Sequence, residues 1–272
     1  MNALGKNRGD KLFNAVILST LAVFILFLLV LIFSAALYVK WEGAGRIIFS
    51  PEILSAVRLS LATATAASLL AMLFSIPIAL ALSRLDFPGK DIVDALLDLP
   101  IILSPVATGA LLLIFFNNTP AGRFIETHVI GFTFQVPGIV LAQFVIVLAL
   151  AIRLLKSTFD GIDTRYENVI RTLGATRVQA VIHVVLPMAR PGILAALVLT
   201  WARAVGEFGA TVTLAGATAM KTETLPVAIF LSFARADVQQ ALVVVLTLLA
   251  LSLAVLFLIR KLGRRLAYLD KH

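Results

Sequence analysis

Two residues of opposite charge, Arg203 and Glu207, stand within an otherwise apolar stretch of the second half of the chain. Their spacing of four residues places them on one face of a helix. Ionisable groups are costly inside a membrane and usually pair with each other or face a cavity. Two interpretations stay open. The residues form a mutual ion pair that fixes helix packing, or they line a path for an anion. In the second case Arg203 supplies positive potential, and Glu207 prevents Arg203 from trapping the anion.

A second stretch has part of the chemistry of a phosphate-binding loop. Residues 216–222 contain the glycine, lysine and threonine of such a loop, but Met220 stands where the second glycine is required. Without that glycine the backbone cannot wrap around phosphate. We therefore expect no ATP binding by this chain.

The remaining reactive residue types form no catalytic or metal-binding pattern. The chain has no cysteine, and its three histidines, His128, His183 and His272, are not spaced as metal ligands. No serine, histidine and acid combination suggests hydrolysis. The sequence predicts a protein that is not an enzyme and that has no metal site and no cofactor.

The composition places these residues in a membrane protein. Hydrophobic residues make up 60% of the 272 residues, charged residues only 14%, and the mean hydropathy is +1.02. Six apolar runs are long enough, or nearly so, to cross a bilayer, which takes roughly 17–25 helical residues. They are Leu12–Val39, Leu59–Leu82, Leu99–Phe116, Gly138–Leu155, Pro191–Leu214 and Ala241–Ile259. We expect one all-α transmembrane domain over residues 1–272, with six transmembrane helices.

The basic residues predict the orientation of these spans. With the N-terminus inside, 16 of the 23 Lys and Arg residues lie on inner segments and five on outer segments. The positive-inside rule then places both termini in the cytoplasm of a multi-pass protein of the cell membrane. The net charge of +8 is therefore explained by the basic inner segments that orient the spans, and no nucleic-acid partner is expected. The first apolar run is too long for a cleaved signal peptide, so we expect an uncleaved anchor.

Prolines mark expected starts and kinks of the spans. Pro191, after Arg190, is expected at the first turn of span five, where a missing N–H costs nothing. Pro77 in span two, and Pro100 and Pro105 in span three, are expected to kink their helices.

The longest inner loop, about residues 157–190, reads like a pair of short soluble helices. Thr164 and Glu167 are spaced as one capping box, and Thr176 and Gln179 as a second. Gly174 is expected to end the first helix in a left-handed conformation. Each helix carries one apolar stripe, and Pro187 is expected to end the second. The stripes are Tyr166, Val169, Ile170 and Leu173, then Val178, Val181, Ile182 and Val185.

Such a loop has two possible roles. One apolar stripe can pack against the inner ends of the spans while Arg165, Arg171 and Arg177 project away from the membrane. The loop then either covers only its own bundle or serves as a docking knob for a cytosolic partner.

The spacing from Gly174 to Val184-Val185-Leu186-Pro187 resembles the cytoplasmic signature of ABC importer permeases. Glu167 keeps the acid of the usual Glu-Ala-Ala opening, but both alanines are missing. The resemblance implies that this loop couples to an ATPase subunit. The residues implied to carry the coupling are Glu167, Arg171, Gly174, Ala175, Thr176, Leu186 and Pro187.

A second resemblance covers Trp201–Gly216 and Lys221–Ile229, which look like permeases of molybdate, tungstate and sulfate importers. The Gly-Glu-Phe-Gly-Ala-Thr run favours the molybdate/tungstate branch. The resemblance implies a homodimer with the path at its axis, two cytosolic ABC ATPase subunits and an external oxyanion-binding protein. The alternatives that remain are a sulfate/thiosulfate importer permease, a stand-alone channel or secondary transporter, and a membrane scaffold.

Overall fold

A computed structural model describes residues 3–269 of the chain, with side chains described from Asp10 to Ile259 and at Lys261. Over this range the protein consists of α-helices and contains no strand. The helices are α1 (Ala3–Tyr38), α2 (Trp41–Ile48), α3 (Pro51–Arg84), α4 (Lys90–Leu97), α5 (Leu99–Ile102), α6 (Pro105–Asn118), α7 (Pro120–His128), α8 (Val136–Asp160), α9 (Arg165–Thr172), α10 (Arg177–Ala180), α11 (Leu186–Val205), α12 (Gly209–Ala215), α13 (Leu225–Ala234) and α14 (Val238–Leu269). A π-helical turn, Val181–Val185, joins α10 to α11.

Five helical segments are long and apolar enough to cross a membrane. They are Asp10–Tyr38, Pro51–Arg84, Val136–Asp160, Arg177–Val205 and Val238–Ile259. A sixth candidate span is the bent pair formed by Lys90–Ile102 and Pro105–Asn118. The described residues therefore support an all-α protein with five or six membrane spans.

The centre of the bundle is the contact between α3 and α8, joined by α11. The face of α3 in this contact carries small residues, including the fully buried Ala64, Ala67 and Ala71. Small side chains allow helix backbones to approach closely, and in lipid that packing drives helix association. α3 continues through Pro77 without a break.

The two ends of the bundle are distinct. At one end the C-terminus of α1 is joined to the N-terminus of α14, because Lys40 and Gln239 exchange two hydrogen bonds of 3.0 and 2.8 Å. At the opposite end, Arg84 at the C-terminus of α3 contacts Glu167 of α9. We call this second end, which carries residues 161–185, the loop end.

The third span was predicted as a single kinked helix, but the structure breaks it into separate helices. The chain bends by 107° between α4–α5 and α6. Ser104 is extended there and its side chain accepts the N–H of Ala107, while Pro105 occupies the first turn of α6. The break follows from this cap, since a proline at that position leaves no N–H to continue the preceding helix.

The predicted bounds of span five, Pro191–Leu214, are wrong at both ends. The helix begins on the loop side of Pro187 and passes through Pro191, which lies inside α11. It then ends at Val205, and Leu214 belongs to the separate helix α12. A proline within a helix removes one hydrogen bond, and here the neighbouring turns carry the helix past it.

Candidate coupling loop and charged cavity

The first helix of the loop does not use the predicted capping box. Thr164 has helical backbone angles and its side chain makes no capping hydrogen bond. The carboxylate of Asp163 instead accepts the N–H of Arg165 at 2.8 Å. Glu167 is thereby available for another contact, since its side chain does not turn back to the helix N-terminus.

Gly174 ends α9 as predicted. Its φ is +92°, the left-handed region that favours glycine. The N–H of Gly174 donates to the carbonyl of Arg171 at 3.1 Å, and the N–H of Ala175 donates to the carbonyl of Ile170 at 3.2 Å. This pair of bonds is a Schellman motif, which satisfies two carbonyls at the helix C-terminus.

The second capping box is confirmed. Thr176 accepts the N–H of Gln179 at 3.3 Å, and the side chain of Gln179 accepts the N–H of Thr176 at 2.8 Å. Pro187 does not end the helix that follows, contrary to the prediction. The π-helical turn lies directly before Leu186 and Pro187, and the chain remains helical from Arg177 to Val205. Such turns accommodate a local break in the regular hydrogen-bond pattern.

The second apolar stripe packs against the spans at Val181 and Val185, in part as expected, whereas most of the other stripe residues are exposed. Val185 is fully buried, but the exposed fraction is 82% for Leu173 and 66% for Val178. We call the exposed set the apolar knob; it consists of Tyr166, Val169, Leu173, Val178 and Ile182. Arg171, also predicted as a site residue, is exposed on α9 beside this set. The loop therefore presents an apolar surface with basic edges.

Glu167 links the loop to a span. Its Oε1 accepts a hydrogen bond from Nε of Arg84 at 2.6 Å, and only 12% and 14% of the two side chains are exposed. The distribution of Lys and Arg predicts both residues on the same side of the membrane, but the sequence carries no signal for their pairing, since they are 83 positions apart.

A charged cavity lies where α11 ends. Nη1 of Arg203 is 2.6 Å from Oε2 of Glu207, so the predicted ion pair is present. Oε1 of Glu207 accepts the N–H of Ala210 at 3.0 Å, which ties the pair to the start of α12. Glu207 is 1% exposed, whereas the side chain of Arg203 is 38% exposed and borders an open cavity of about 320 Å³. The cavity is lined by Pro105, Val106, Arg203, Gly206, Glu207, Phe208 and Gly209.

Two glycines allow close packing of α6 and α12, the helices beside this cavity. A Cβ on Gly109 of α6 would come within 2.8 Å of the carbonyl oxygen of Ala210. A Cβ on Gly209 would come within 3.0 Å of Pro105 and Val106. The N-terminal parts of α6 and α12 can therefore pack together only without side chains at these positions.

A second ion-pair group was missed by the sequence analysis. Arg153 of α8 contacts the carboxylates of Asp94 and Asp98, each at 2.6 Å. Its Nη2 also donates to the carbonyl of Asp94 at 2.7 Å. This group ties α4 to α8 near the loop end. The only signal in the sequence was the spacing of the two acids, one helical turn apart.

The histidines are not brought together. His128 stacks on Phe124 with ring centroids 4.8 Å apart, and His183 is exposed in the π-helical turn. His272 lies outside the described residues. Within the described part of the chain, no group of three His, Asp or Glu side chains could hold a metal ion.

Comparison with known proteins agrees with this architecture. Residues 75–268 match the family described as "binding-protein-dependent transport system inner membrane component". The probable molybdenum ABC transporter permease of Haloferax volcanii is 38% identical over 211 residues, which cover 78% of this chain and 76% of that protein. The sulfate permease CysT of Salmonella typhimurium is 32% identical over 253 residues, 91% of each chain. The molybdate/tungstate permease WtpB of Thermococcus kodakarensis is 37% identical over 169 residues, 62% of this chain and 64% of that one.

Solved structures show the same fold. A subunit of a bacterial alginate ABC transporter superposes with a TM-score of 0.77 over 98% of both chains, at 18% identity. A chain of the MetNI methionine ABC transporter gives a TM-score of 0.58 over 79% of this chain and 94% of that one, at 19% identity.

The fold and the family match together define a multi-pass membrane permease. The chain belongs to the family of binding-protein-dependent transport system inner membrane components, as the permease subunit of an ABC importer. It is a transport subunit and not an enzyme.

Proposed function

We propose that this chain is the membrane-spanning subunit of an ATP-driven importer of molybdate or tungstate. Two copies form the translocation path, and two separate cytosolic ABC ATPase subunits drive it through residues 157–190. An extracytoplasmic oxyanion-binding protein delivers the anion from outside.

The observation that carries this proposal is the connection between the apolar knob and the charged cavity. Arg177 at the knob and Arg203 at the cavity lie on one uninterrupted helical segment. At 1.5 Å per residue they are about 39 Å apart along its axis. Because the segment stays helical through the π-helical turn and through Pro187 and Pro191, a displacement of the knob has a continuous helical connection to the cavity.

The knob suits a protein partner rather than water or lipid. Its five apolar side chains are each more than half exposed within 17 residues of the loop, and exposed apolar surface of this kind marks interaction sites. Arg165, which is 88% exposed, and the exposed Arg171 and Arg177 border the knob and disfavour contact with hydrocarbon. We assign the loop end to the cytoplasm on the distribution of Lys and Arg, which also places both termini there.

A second copy of the chain completes the cavity. Arg203 lies within a membrane span, and more than a third of its side chain is exposed to the open side of the cavity. An arginine facing lipid is costly, so this side faces another protein surface and the path between the two copies.

The cavity chemistry suits an oxyanion in transit. Arg203 supplies positive potential, and Glu207 neutralises part of it while fixing the guanidinium from one side. A partly neutralised cation attracts an anion without holding it tightly, and a transporter must release what it carries. Selectivity then resides mainly in the external binding protein.

Sulfate is the second candidate substrate. The sulfate permeases named CysT align over 91% of this chain, including its first part, whereas the molybdate/tungstate relative WtpB aligns over 62%. Molybdate, tungstate and sulfate are all tetrahedral dianions, so the cavity itself does not separate them.

Uptake by the assembled complex tests the proposal. Vesicles that contain the permease, the ATPase subunit and the binding protein should take up labelled molybdate only when ATP is supplied. Excess tungstate should compete strongly and excess sulfate weakly. Strong competition by sulfate alone would move the assignment to a sulfate importer, and uptake without the ATPase subunit would indicate a channel or secondary transporter.

A further inference from the structure

Helix α9, which carries part of the apolar knob, is joined to the neighbouring helices only by short non-helical segments, which do not fix its position. It is joined to α8 through residues 161–164 and to α10 through the turn at Gly174. α10 itself continues into α11, so the second half of the knob is held by a long helix. The first half needs another attachment if the whole knob is to move as one body.

Arg84 provides this attachment, because two of its three hydrogen bonds reach beyond α3. Its Nε donates to Glu167 at 2.6 Å, its Nη2 to the carbonyl of Ile162 at 2.9 Å, and its Nη1 to the hydroxyl of Ser83 at 3.1 Å. Ser83 in turn donates to the carboxylate of Asp160 at 2.5 Å. One guanidinium thus joins the last turn of α3 to the residues before α9 and to α9 itself.

The environment of the pair distinguishes it from a surface ion pair. An exposed pair contributes little because both side chains stay mobile and water screens the charges. Arg84 and Glu167 are each largely buried, and each of the three guanidinium nitrogens of Arg84 donates one hydrogen bond. Charge-assisted bonds in such a setting are short and directional, so they hold a fixed geometry.

The other part of α3 reaches the helix that carries the charged cavity. Nε1 of Trp201 donates to the hydroxyl of Thr65 at 3.2 Å, and Trp201 precedes Arg203 by two residues on α11. Thr65 and Arg84 are about 28 Å apart along α3 at 1.5 Å per residue. α3 therefore runs beside α11 as a second connection between the loop and the level of the cavity.

We propose that Arg84 is a positioning residue for coupling: the Arg84–Glu167 pair makes α9 and α3 move together with α10 and α11 when the ATPase subunits close. This inference rests on the proposed function, since it assigns a role to Arg84 in the same loop. It predicts that loss of the pair uncouples transport from ATP hydrolysis: the ATPase still binds and hydrolyses ATP, but less molybdate is taken up per ATP.

The experiment compares Arg84→Gln and Glu167→Gln with the exchanged variant Arg84→Glu/Glu167→Arg in vesicles that contain the full complex. Lys90→Gln is the matched control, because Lys90 lies near the same end of α3 but bonds to Asp86 at 3.2 Å and to the carbonyl of Leu85 at 2.9 Å, outside the group of Arg84, Ser83 and Asp160. The measured quantities are ATPase binding, ATP hydrolysis, and the number of molybdate ions taken up per ATP hydrolysed.

We expect Arg84→Gln to bind the ATPase within about twofold of the parent, and both single variants to lower uptake per ATP at least fivefold. The exchanged variant should recover a substantial part of that loss, and Lys90→Gln should match the parent. Unchanged uptake per ATP in the single variants would overturn the inference. So would loss of ATPase binding without recovery in the exchanged variant, since Glu167 would then act on the ATPase directly. If the parent complex itself neither binds the ATPase nor transports, the proposed function fails instead.

Discussion

Replacing Gly174 with valine changes one backbone position and leaves its surroundings untouched. A Cβ at this position would meet no atom within 4 Å, so the substitution causes no clash. The cost comes from φ, which is +92° and lies in a region that a β-branched residue rarely adopts. A left-handed conformation costs a non-glycine residue roughly 1–2 kcal/mol.

This strain should appear in docking rather than in folding. Gly174 is exposed and lies outside the buried clusters that hold the spans together. If ATPase binding requires the Schellman turn, a strain of 1–2 kcal/mol weakens binding by roughly 5- to 30-fold. We expect Gly174→Val to leave the melting temperature of the purified permease within a few degrees of the parent.

Two control variants isolate the backbone effect. Gly174→Asn should recover most of the binding, because asparagine tolerates left-handed angles. Gly161→Ala lies in the same loop, at φ −72°, and should bind the ATPase normally. Binding would be measured between the detergent-solubilised permease and the purified ATPase subunit. Normal binding and uptake by Gly174→Val would refute the coupling assignment.

Three further predictions concern the cavity and the opposite end of the bundle. Glu207→Ala removes both the partner of Arg203 and the acceptor for the buried N–H of Ala210, so it should cost about 1–3 kcal/mol, since Arg203 is left partly exposed. Glu207→Gln, which keeps an acceptor, should lower the melting temperature less, and equal losses would contradict this account. Gly109→Val should destabilise α6–α12 packing, since its Cβ would lie 2.8 Å from a backbone oxygen; an unchanged melting curve would show that these helices do not pack closely. Burial raises the pKa of Glu223 above 4.5, with nearby Glu52 adding to the rise and Arg235 opposing it. Its charged form therefore weakens the fold as pH rises through the raised pKa, and Glu223→Gln should melt higher than the parent at pH 7 but not below about pH 4; a constant difference would refute the assignment.

The sequence allowed the local features of the fold and loop to be predicted where a physical signal lies within a few residues. The apolar runs predicted the helices around α3, α8 and α14, since crossing a bilayer requires such runs. Gly174 and the box of Thr176 and Gln179 were also predictable, because each is a short-range backbone requirement.

The bounds of span five were not predictable from hydropathy. An apolar run does not reveal the break at Gly206, because apolar residues continue beyond it into α12 and hydropathy does not register a change of helix direction. Pro187 and Pro191 gave the opposite error. Both signalled helix boundaries, but the chain stays helical through them.

The long-range ion pairs could not be predicted from the sequence either. Arg84 and Glu167 are 83 residues apart, and Arg153 is more than 50 residues from its two partners. Tertiary packing brings these groups together, with α3 and α5 each in contact with α8, so a single sequence carries no periodic signal for them. The pair of Arg203 and Glu207 was predictable because both lie within one helical turn.

The central claim is that the apolar knob is held by the ATPase in the working complex, and the chain offers a direct measurement. It contains no cysteine, so one introduced cysteine is the only thiol in the permease. Leu173→Cys lies on the knob, where the side chain is 82% exposed, and Phe49→Cys lies at the opposite end with 73% exposure. With a short thiol-directed cross-linker in active vesicles, we predict a cross-link to the ATPase from position 173 and none from position 49. The absence of a cross-link from position 173 in vesicles that transport molybdate, or modification of that cysteine by a membrane-impermeant reagent added outside cells, would contradict the account.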